Sequence, residues 1–288
     1  MKKIACSTLP FRELSLTDAL QKMADLGIAQ VELCVDPHHS DPSCWNYSPE
    51  KILQIISHLG IQIRSIHVPV INITDNIGFE SLQSQATTTS LKTIDLAACL
   101  GAEFIVQHIY YDTLSHNHSA AANSGNIILD INKVSAYAAE KRVALALENL
   151  PVRSNSRIGA GLIEVMAIVQ GYLDQRVGIC LDVTHCVASG MDPLDVLDHL
   201  DINRIVSIHA SDNHFNSFND QHLPIGKGEI NWKEFFKRLA QHGFNGALVI
   251  EVSGSSKGGN SLIESIEFLR KIEIIQDVYL TQQKGGEK

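Results

Sequence analysis

Eight short runs of apolar residues recur along this chain, and a longer amphipathic segment follows each of them. Most runs are apolar at nearly every position, which is typical of strands that are covered on both faces. They cover residues 3–7, 30–35, 61–68, 103–109, 142–148, 176–182, 204–210 and 247–252. The pattern predicts a buried parallel sheet with helices between successive strands.

The segments between the runs carry signals for the ends of helices. Ser48 and Pro49 are typical of a helix start, and Gly60 is typical of a helix end. Asn231 and Glu234 have the spacing of a capping box at the start of another helix. The remaining helices are predicted at about 17–26, 79–100, 125–141, 162–172, 193–200 and 261–275.

Eight units of one strand and one helix in 288 residues predict an α/β fold, and the number of units indicates a single (β/α)8 TIM barrel. We expect the barrel domain to cover residues 1–281, followed by a frayed C-terminal tail over 282–288. A doubly wound open sheet is the alternative. Its dinucleotide-binding form is disfavoured because CSTLPF, and not a glycine-rich fingerprint, follows the first strand.

Charge and composition narrow the classes of partner. The chain has 23 Lys and Arg residues against 32 Asp and Glu residues, a formal net charge of −9, so we expect no nucleic acid partner. No apolar stretch reaches the ~18 residues of a membrane span, and no signal-peptide apolar region stands near the amino terminus. The six cysteines form no CxxC pair, which favours reduced thiols and a cytoplasmic location. The sequence leaves open whether the chain forms a homo-oligomer.

Six of the eight predicted strands carry, at their carboxyl end or one residue before it, a residue that can bind a metal or move a proton. In a parallel barrel all strand carboxyl ends open onto one mouth, so these side chains should converge there. Each alone has an ordinary explanation as a polar residue that meets solvent or caps the next helix. Glu148 and Glu251 are harder to explain in that way, because a charge directly after an apolar run is costly without a cation. The six residues are His67, His108, Glu148, Asp182, His209 and Glu251.

Two short pairs add to this set. Asp182 and His185 are three residues apart, which places both on one side of a turn or of a first helical turn. Asp220 and His222 are two apart, which aims both the same way along an extended loop. No cysteine follows these positions in a way that suggests a thiolate site, so we expect oxygen and imidazole ligands without thiolate. Such ligands suit Mn²⁺, Zn²⁺, Mg²⁺, Co²⁺ or Fe²⁺, and the sequence does not select among them.

At these positions the sequence resembles a known group of proteins, the xylose-isomerase-like TIM-barrel superfamily. The resemblance covers nearly the whole chain, and its segments are LALENL, GICLDVTH, SIHASDN, DQHLPIGKGEINW and VIEVSG. The superfamily contains sugar isomerases and epimerases, inosose-processing enzymes, a dehydroshikimate dehydratase branch and the type IV apurinic endonucleases. The segment HLPIGKGEINW is similar to a stretch that is common in the isomerase and epimerase branch.

The resemblance implies a set of metal ligands. In the ketose 3-epimerase branch one divalent ion is held by residues that match Glu148, Asp182, His209 and Glu251. In the endonuclease branch the same four hold one of three zinc ions. The matching ligands of the other two are His67 and His108 with Glu148, and then His185, Asp220 and His222.

The function favoured by these observations is a divalent-metal-dependent isomerase or epimerase of a small sugar, sugar phosphate or cyclitol. It would act by proton transfer through a metal-stabilised enediolate, with Glu148 and Glu251 as the catalytic carboxylates. A zinc-dependent endonuclease IV-like phosphodiesterase, a dehydratase of the dehydroshikimate or inosose type, and a barrel that only binds a sugar are the alternatives. With a single metal, the expected substrate-binding residues are His67, His108, His185, Arg153 and Lys227, although solvation explains the last two equally well.

Overall fold

The computed structural model describes residues 4–34, 48–70, 78–110, 127–152, 159–217, 219–253 and 259–272. Eight strands pair in chain order, all parallel, and the first also pairs with the eighth, which closes the barrel. The predicted single (β/α)8 barrel is therefore confirmed. The strands are β1 Ile4–Ser7, β2 Gln30–Cys34, β3 Gln62–His67, β4 Phe104–His108, β5 Ala144–Glu148, β6 Val177–Asp182, β7 Ile205–Ala210 and β8 Ala247–Ile250. The domain end predicted at residue 281 and the tail lie outside the described residues.

Helices lie between successive strands. They are α1 Leu16–Asp25, α2 Pro49–Leu59, α3 Phe79–Leu100, α4 Ile131–Lys141, α5 Leu162–Gln170, α6 Val183–Ala188, α7 Pro193–His199, α8 Trp232–Gln241 and α9 Gly259–Lys271. The two predicted N-caps are confirmed, since the side chains of Ser48 and Asn231 accept hydrogen bonds from backbone N–H groups of the first turn. In the described part of the chain, every helix is too short or too polar to cross a bilayer.

Helices α4 and α6 each begin at an aspartate whose side chain caps the first turn. Helix α4 begins later than expected, because the Asp130 side chain accepts a hydrogen bond from Lys133 N (3.1 Å) and so fixes the first turn at Ile131. Helix α6 follows β6 directly, where the spacing of Asp182 and His185 indicated a turn or a first helical turn. Asp182 ends the strand and also caps this helix, since its Oδ1 accepts a hydrogen bond from His185 N at 2.7 Å.

Two apolar clusters fill the molecule. The larger one packs the outer faces of the strands against the helices. The smaller one contains Phe104, Val106, Ala146, Cys180 and Ala247. Since β4 and β8 are not neighbours in the ring, residues of both can meet only inside it, so this cluster fills the barrel interior. Along β4, β5 and β6 the next inward positions, two residues further on, are His108, Glu148 and Asp182, because strand side chains alternate between faces.

The long loop after β7 is organised by one buried carboxylate. The side chain of Asp212 accepts hydrogen bonds from the backbone N–H groups of Gly226 (2.8 Å) and Ile230 (3.2 Å) and from Trp232 Nε1 (3.0 Å). The backbones of Asp212 and Leu223 also exchange two hydrogen bonds, at 2.8 and 2.9 Å. The loop therefore folds back over the mouth and carries Asp220 and His222 towards it.

We predict that Asp212→Ala destabilises the protein by about 3–5 kcal/mol, because it leaves several buried N–H donors without an acceptor. Chemical denaturation measures the change. The control is Asp25→Ala, which removes an exposed carboxylate from α1 and should change the free energy of unfolding by no more than about 0.5 kcal/mol. Equal stabilities for the two variants would contradict this role of Asp212.

Candidate metal centre

A buried cluster of imidazoles and carboxylates occupies the carboxyl end of the barrel. All six strand-end residues that the sequence singled out belong to it, as do the two short pairs. Its members are His67, His108, Glu148, Asp182, His185, His209, Asp220, His222 and Glu251. Their functional roles remain predictions, but their convergence is a feature of the structure.

Four of these side chains surround one point. The Nδ1 atom of His209 lies 3.0 Å from Glu148 Oε1, 2.8 Å from Glu251 Oε2 and 4.0 Å from Asp182 Oδ2. One potential ligand atom from each of the four lies within 4.8 Å of every other, and all four residues are buried. Three carboxylates and one imidazole converge here from β5, β6, β7 and the end of β8.

The donor set fits a divalent cation. Asp182 Oδ2 is fully buried and forms no hydrogen bond within the described structure, although Oδ1 of the same carboxylate caps α6. A buried carboxylate oxygen without a partner is costly, and a cation offsets that cost. Burial raises the pKa of Asp182 to about 6, even though the nearby imidazoles of His185 and His222 act in the opposite direction.

A second group of ligands adjoins the first through Glu148. Oε2 of this carboxylate lies 3.0 Å from His67 Nε2 and 2.8 Å from His108 Nε2. Burial opposes ionisation of Glu148, but the imidazoles of His209 and His108 outweigh it, so the pKa of Glu148 lies well below its usual value. The outer ring nitrogens are also engaged, His67 Nδ1 with Val68 O (2.9 Å) and His108 Nδ1 with the Tyr110 hydroxyl (2.7 Å). Both rings are therefore oriented towards Glu148.

A third group lies on the side of the β7 loop. Asp220 bridges two imidazoles, with Oδ2 at 3.1 Å from His185 Nε2 and Oδ1 at 3.0 Å from His222 Nε2. His185 also lies 3.7 Å from Asp182, as the spacing of three residues predicts. The backbone of His222 has a positive φ of 42°, a left-handed conformation that is uncommon for residues other than glycine. Such strain is found mainly where the surrounding structure holds a functional side chain in place.

The sequence also predicted two basic residues as contacts for substrate. Lys227 is exposed, and its Nζ lies 3.4 Å from Glu264 Oε2 on α9. Arg153 lies outside the described residues. A role in binding substrate stays a prediction for both residues.

A buried cysteine thiol adjoins the ligand set of oxygen and imidazole groups that the sequence predicts. The side chain of Cys180 lies two residues before Asp182 on the same inward row, and its Sγ is within 4.8 Å of ligand atoms of Glu148 and His209. Burial raises the pKa of Cys180 well above its usual value, so the group is a thiol and not a thiolate in the surroundings described here.

Sequence reasoning missed three residues that support the cluster. Tyr110 contacts His108, and the side-chain amide of Asn149 both accepts from Asp182 N (2.8 Å) and donates to Asp182 O (3.1 Å). Glu32 is fully buried on β2, with Oε1 at 3.2 Å from His209 Nε2. A carboxylate in the middle of a strand that is buried on both faces was the available signal for Glu32.

The family model described as a xylose isomerase-like TIM barrel matches residues 20–272 of this sequence. The chain belongs to this family. Among curated relatives, the protein MJ1311 of Methanocaldococcus jannaschii is 24% identical over 286 residues, which is 98% of this chain and 93% of that protein. The probable endonuclease 4 of Methanoculleus marisnigri is 30% identical over 158 residues, which is 50% of this chain and 54% of that protein.

Solved structures share the same fold. A D-tagatose 3-epimerase-like protein aligns with a TM-score of 0.72 at 22% identity, over 94% of this chain and 98% of that one. The IOLI protein, whose structure contains a bound zinc atom, aligns with a TM-score of 0.70 at 16% identity, over 96% of this chain and 98% of that one. Members of the family and its structural relatives thus include sugar epimerases and proteins similar to endonuclease 4.

We predict that Asp182→Asn removes most of the divalent ion bound by the purified protein. Asn still caps a helix well, so the fold should be kept while one charged ligand is lost. His209→Ala should have the same effect. Elemental analysis of the folded variants measures the ion, and wild-type metal content in both would contradict the assignment. Asp192→Asn is the matched control, because Asp192 also caps a helix and lies outside the cluster.

Proposed function

We propose that this protein is a divalent-metal-dependent isomerase or epimerase that acts on a small sugar, sugar phosphate or cyclitol. The observation that carries the proposal is the pair of buried carboxylates, Glu148 and Glu251, on two different strands with His209 between them. One oxygen of each lies within 4.8 Å of the other. Two carboxylates at one centre suit a reaction in which a proton leaves one position and returns at another.

The two carboxylates have different surroundings. Glu148 contacts the imidazoles of His67, His108 and His209, whereas the described ion-pair contact of Glu251 is with His209. The pKa of Glu251 is lowered to about 2, since His209 outweighs the effect of burial. Both groups are therefore ionised near neutral pH, which is the protonation state that a general base requires. We assign the first proton abstraction to Glu251, because fewer hydrogen bonds hold its charge in place.

A bound divalent cation would supply Lewis acidity, polarising a substrate carbonyl and so acidifying the C–H bond beside it. The residues of this chain would do the rest. Glu251 would take the proton, and Glu148 would deliver one to the opposite face or to the neighbouring carbon. His185 and His222 lie beside the centre and would donate hydrogen bonds to substrate hydroxyl groups. Burial of the cluster keeps bulk water away from the reacting carbon.

The comparisons support a small polyol as the substrate class. The D-tagatose 3-epimerase-like protein and the zinc-containing IOLI protein align over nearly the whole of this chain. A further solved relative in fold is a D-psicose 3-epimerase with D-tagatose bound. The net charge of −9 also favours an uncharged or weakly charged substrate over a polyanion.

Hydrogen exchange tests the proton transfer. The metal-loaded protein is incubated in deuterated water with a panel of ketoses, inososes and dehydroshikimate, and NMR follows the substrate C–H signals. We predict that Glu251→Gln and Glu148→Gln each slow exchange by about 10²-fold or more, the scale of general acid–base catalysis. Loss of water from a substrate would identify the dehydratase variant instead.

Metal content is measured alongside, because both residues are also proposed ligands. Glu140→Gln is the control, since Glu140 is exposed on α4, away from the mouth. Exchange at the wild-type rate in a metal-loaded Glu251 or Glu148 variant would remove that residue from the mechanism.

A metal-dependent phosphodiesterase similar to endonuclease 4 is the second candidate function. It is favoured by one specific observation, the meeting of nine ligand-type residues in three adjoining groups. Against it stand the acidic net charge and the absence of Lys and Arg from three stretches near the predicted mouth, DPHHSDPS, YYDTLSHNHS and SDNHFNSFNDQ. Affinity for DNA grows with the number of phosphates that basic residues neutralise.

We predict negligible binding and no cleavage of duplex DNA with an abasic site, at physiological salt and with Zn²⁺ or Mn²⁺ present. A gel assay of strand cleavage measures this, with His222→Ala as the companion variant. Efficient metal-dependent cleavage by the wild type that is lost in His222→Ala would replace the isomerase proposal with the second candidate.

A further inference from the structure

Glu32 is the carboxylate of the barrel that sequence reasoning did not connect with the metal centre. It lies in the middle of β2, and its side chain is fully buried. Neither the strand-end pattern nor the family resemblance gave it a role. A buried carboxylate nevertheless needs compensation, so its contacts show what it does.

Each oxygen of Glu32 faces a different group. Oε2 accepts a hydrogen bond of 2.7 Å from the Ser65 hydroxyl on the neighbouring strand β3. Oε1 lies 3.2 Å from Nε2 of His209, which is itself fully buried. Both atoms are buried, and neither forms a hydrogen bond in the described structure. Their approach at 3.2 Å is an electrostatic contact between a carboxylate oxygen and a ring nitrogen.

The two nitrogens of the His209 ring face carboxylates on opposite sides. Nδ1 faces the metal-type carboxylates Glu148 and Glu251, and Nε2 faces Glu32. A neutral imidazole carries its proton on only one nitrogen and offers the lone pair of the other. A carboxylate at Nε2 favours the proton there, which leaves the Nδ1 lone pair free to bind a cation.

We propose that Glu32 is a positioning residue that fixes the tautomer and the ring orientation of His209, so that Nδ1 is available to a divalent ion. Ser65 in turn fixes the orientation of Glu32. Carboxylates in this position behind a ligating histidine increase the basicity of the ligand and its affinity for metal. Glu32 does not itself bind the ion, because His209 lies between it and the other ligands. This inference rests on the metal centre of the proposed function but not on the isomerase reaction.

Metal affinity tests this role, and Glu32→Gln is the main variant. Gln keeps the size of the side chain and can still pair with Ser65, but it removes the charge and allows the other tautomer. The dissociation constant for Zn²⁺ is measured by competition with a chromophoric chelator on the full chain. The visible absorption of bound Co²⁺ reports the ligand geometry. We expect Glu32→Gln to weaken Zn²⁺ binding 10-fold to 100-fold and to change the Co²⁺ spectrum.

Ser207→Ala is the matched control. Ser207 is fully buried on β7, two residues before His209, and its hydroxyl forms no hydrogen bond in the described structure. Its loss perturbs the same interior layer without touching the proposed contact, so Zn²⁺ affinity should stay within about twofold of the wild type, well inside the effect of a positioning residue. Equal weakening in Ser207→Ala and Glu32→Gln would show a merely structural effect and overturn the proposal.

His209→Ala separates failure of this inference from failure of the metal centre. If it loses Zn²⁺ while Glu32→Gln binds with wild-type affinity, the centre stands and the role of Glu32 is refuted. If it keeps Zn²⁺, His209 is not a ligand and both proposals fall. If circular dichroism shows that Glu32→Gln does not fold, Ser65→Ala tests the proposal instead. This variant keeps the Glu32 carboxylate but removes the hydrogen bond that orients it. Unchanged Zn²⁺ affinity in a folded Ser65→Ala would then overturn the proposal.

Discussion

His209 lies between three buried carboxylates, with Nδ1 close to Glu148 and Glu251 and Nε2 close to Glu32. Removing such charges from water costs several kcal/mol for each ion unless nearby groups compensate it. The barrel mouth meets this requirement by bringing imidazoles and carboxylates together in near-equal numbers. A divalent cation at the central four ligands, as we propose, would complete the compensation and would engage Asp182 Oδ2, which forms no hydrogen bond within the described structure.

The barrel positions this cluster through the alternation of side chains along each strand. Side chains alternate between the two faces, so the row that fills the interior with Val106, Ala146 and Cys180 continues at the mouth with His108, Glu148 and Asp182. The apolar interior is thus the floor of the polar centre. It orients the ligands and excludes water beneath them, which strengthens every electrostatic interaction above.

The loop after β7 adds two ligand-type residues, Asp220 and His222, to those that the strand ends place at the mouth. The Asp212 side chain accepts hydrogen bonds from the backbone N–H groups of Gly226 and Ile230 and from the indole of Trp232. This arrangement carries Asp220 and His222 back over the mouth. The segment HLPIGKGEINW, which favoured the isomerase branch on sequence, is therefore largely loop architecture. The segment determines how the loop folds, while the chemistry depends on Asp220 and His222, which the loop places beside the centre.

The sequence by itself determined the eight-stranded barrel and the convergence of the strand-end residues, because both follow from local periodicity and from the shared direction of parallel strands. The spacing of Asp182 and His185 likewise fixed a local contact. Only the tertiary structure decided that Glu32 faces His209, that Cys180 lies under the centre and that Asp212 organises the loop. These contacts join strands and loops far apart in the chain, so no local pattern encodes them; they are set by which side chains the closed barrel brings face to face in its interior.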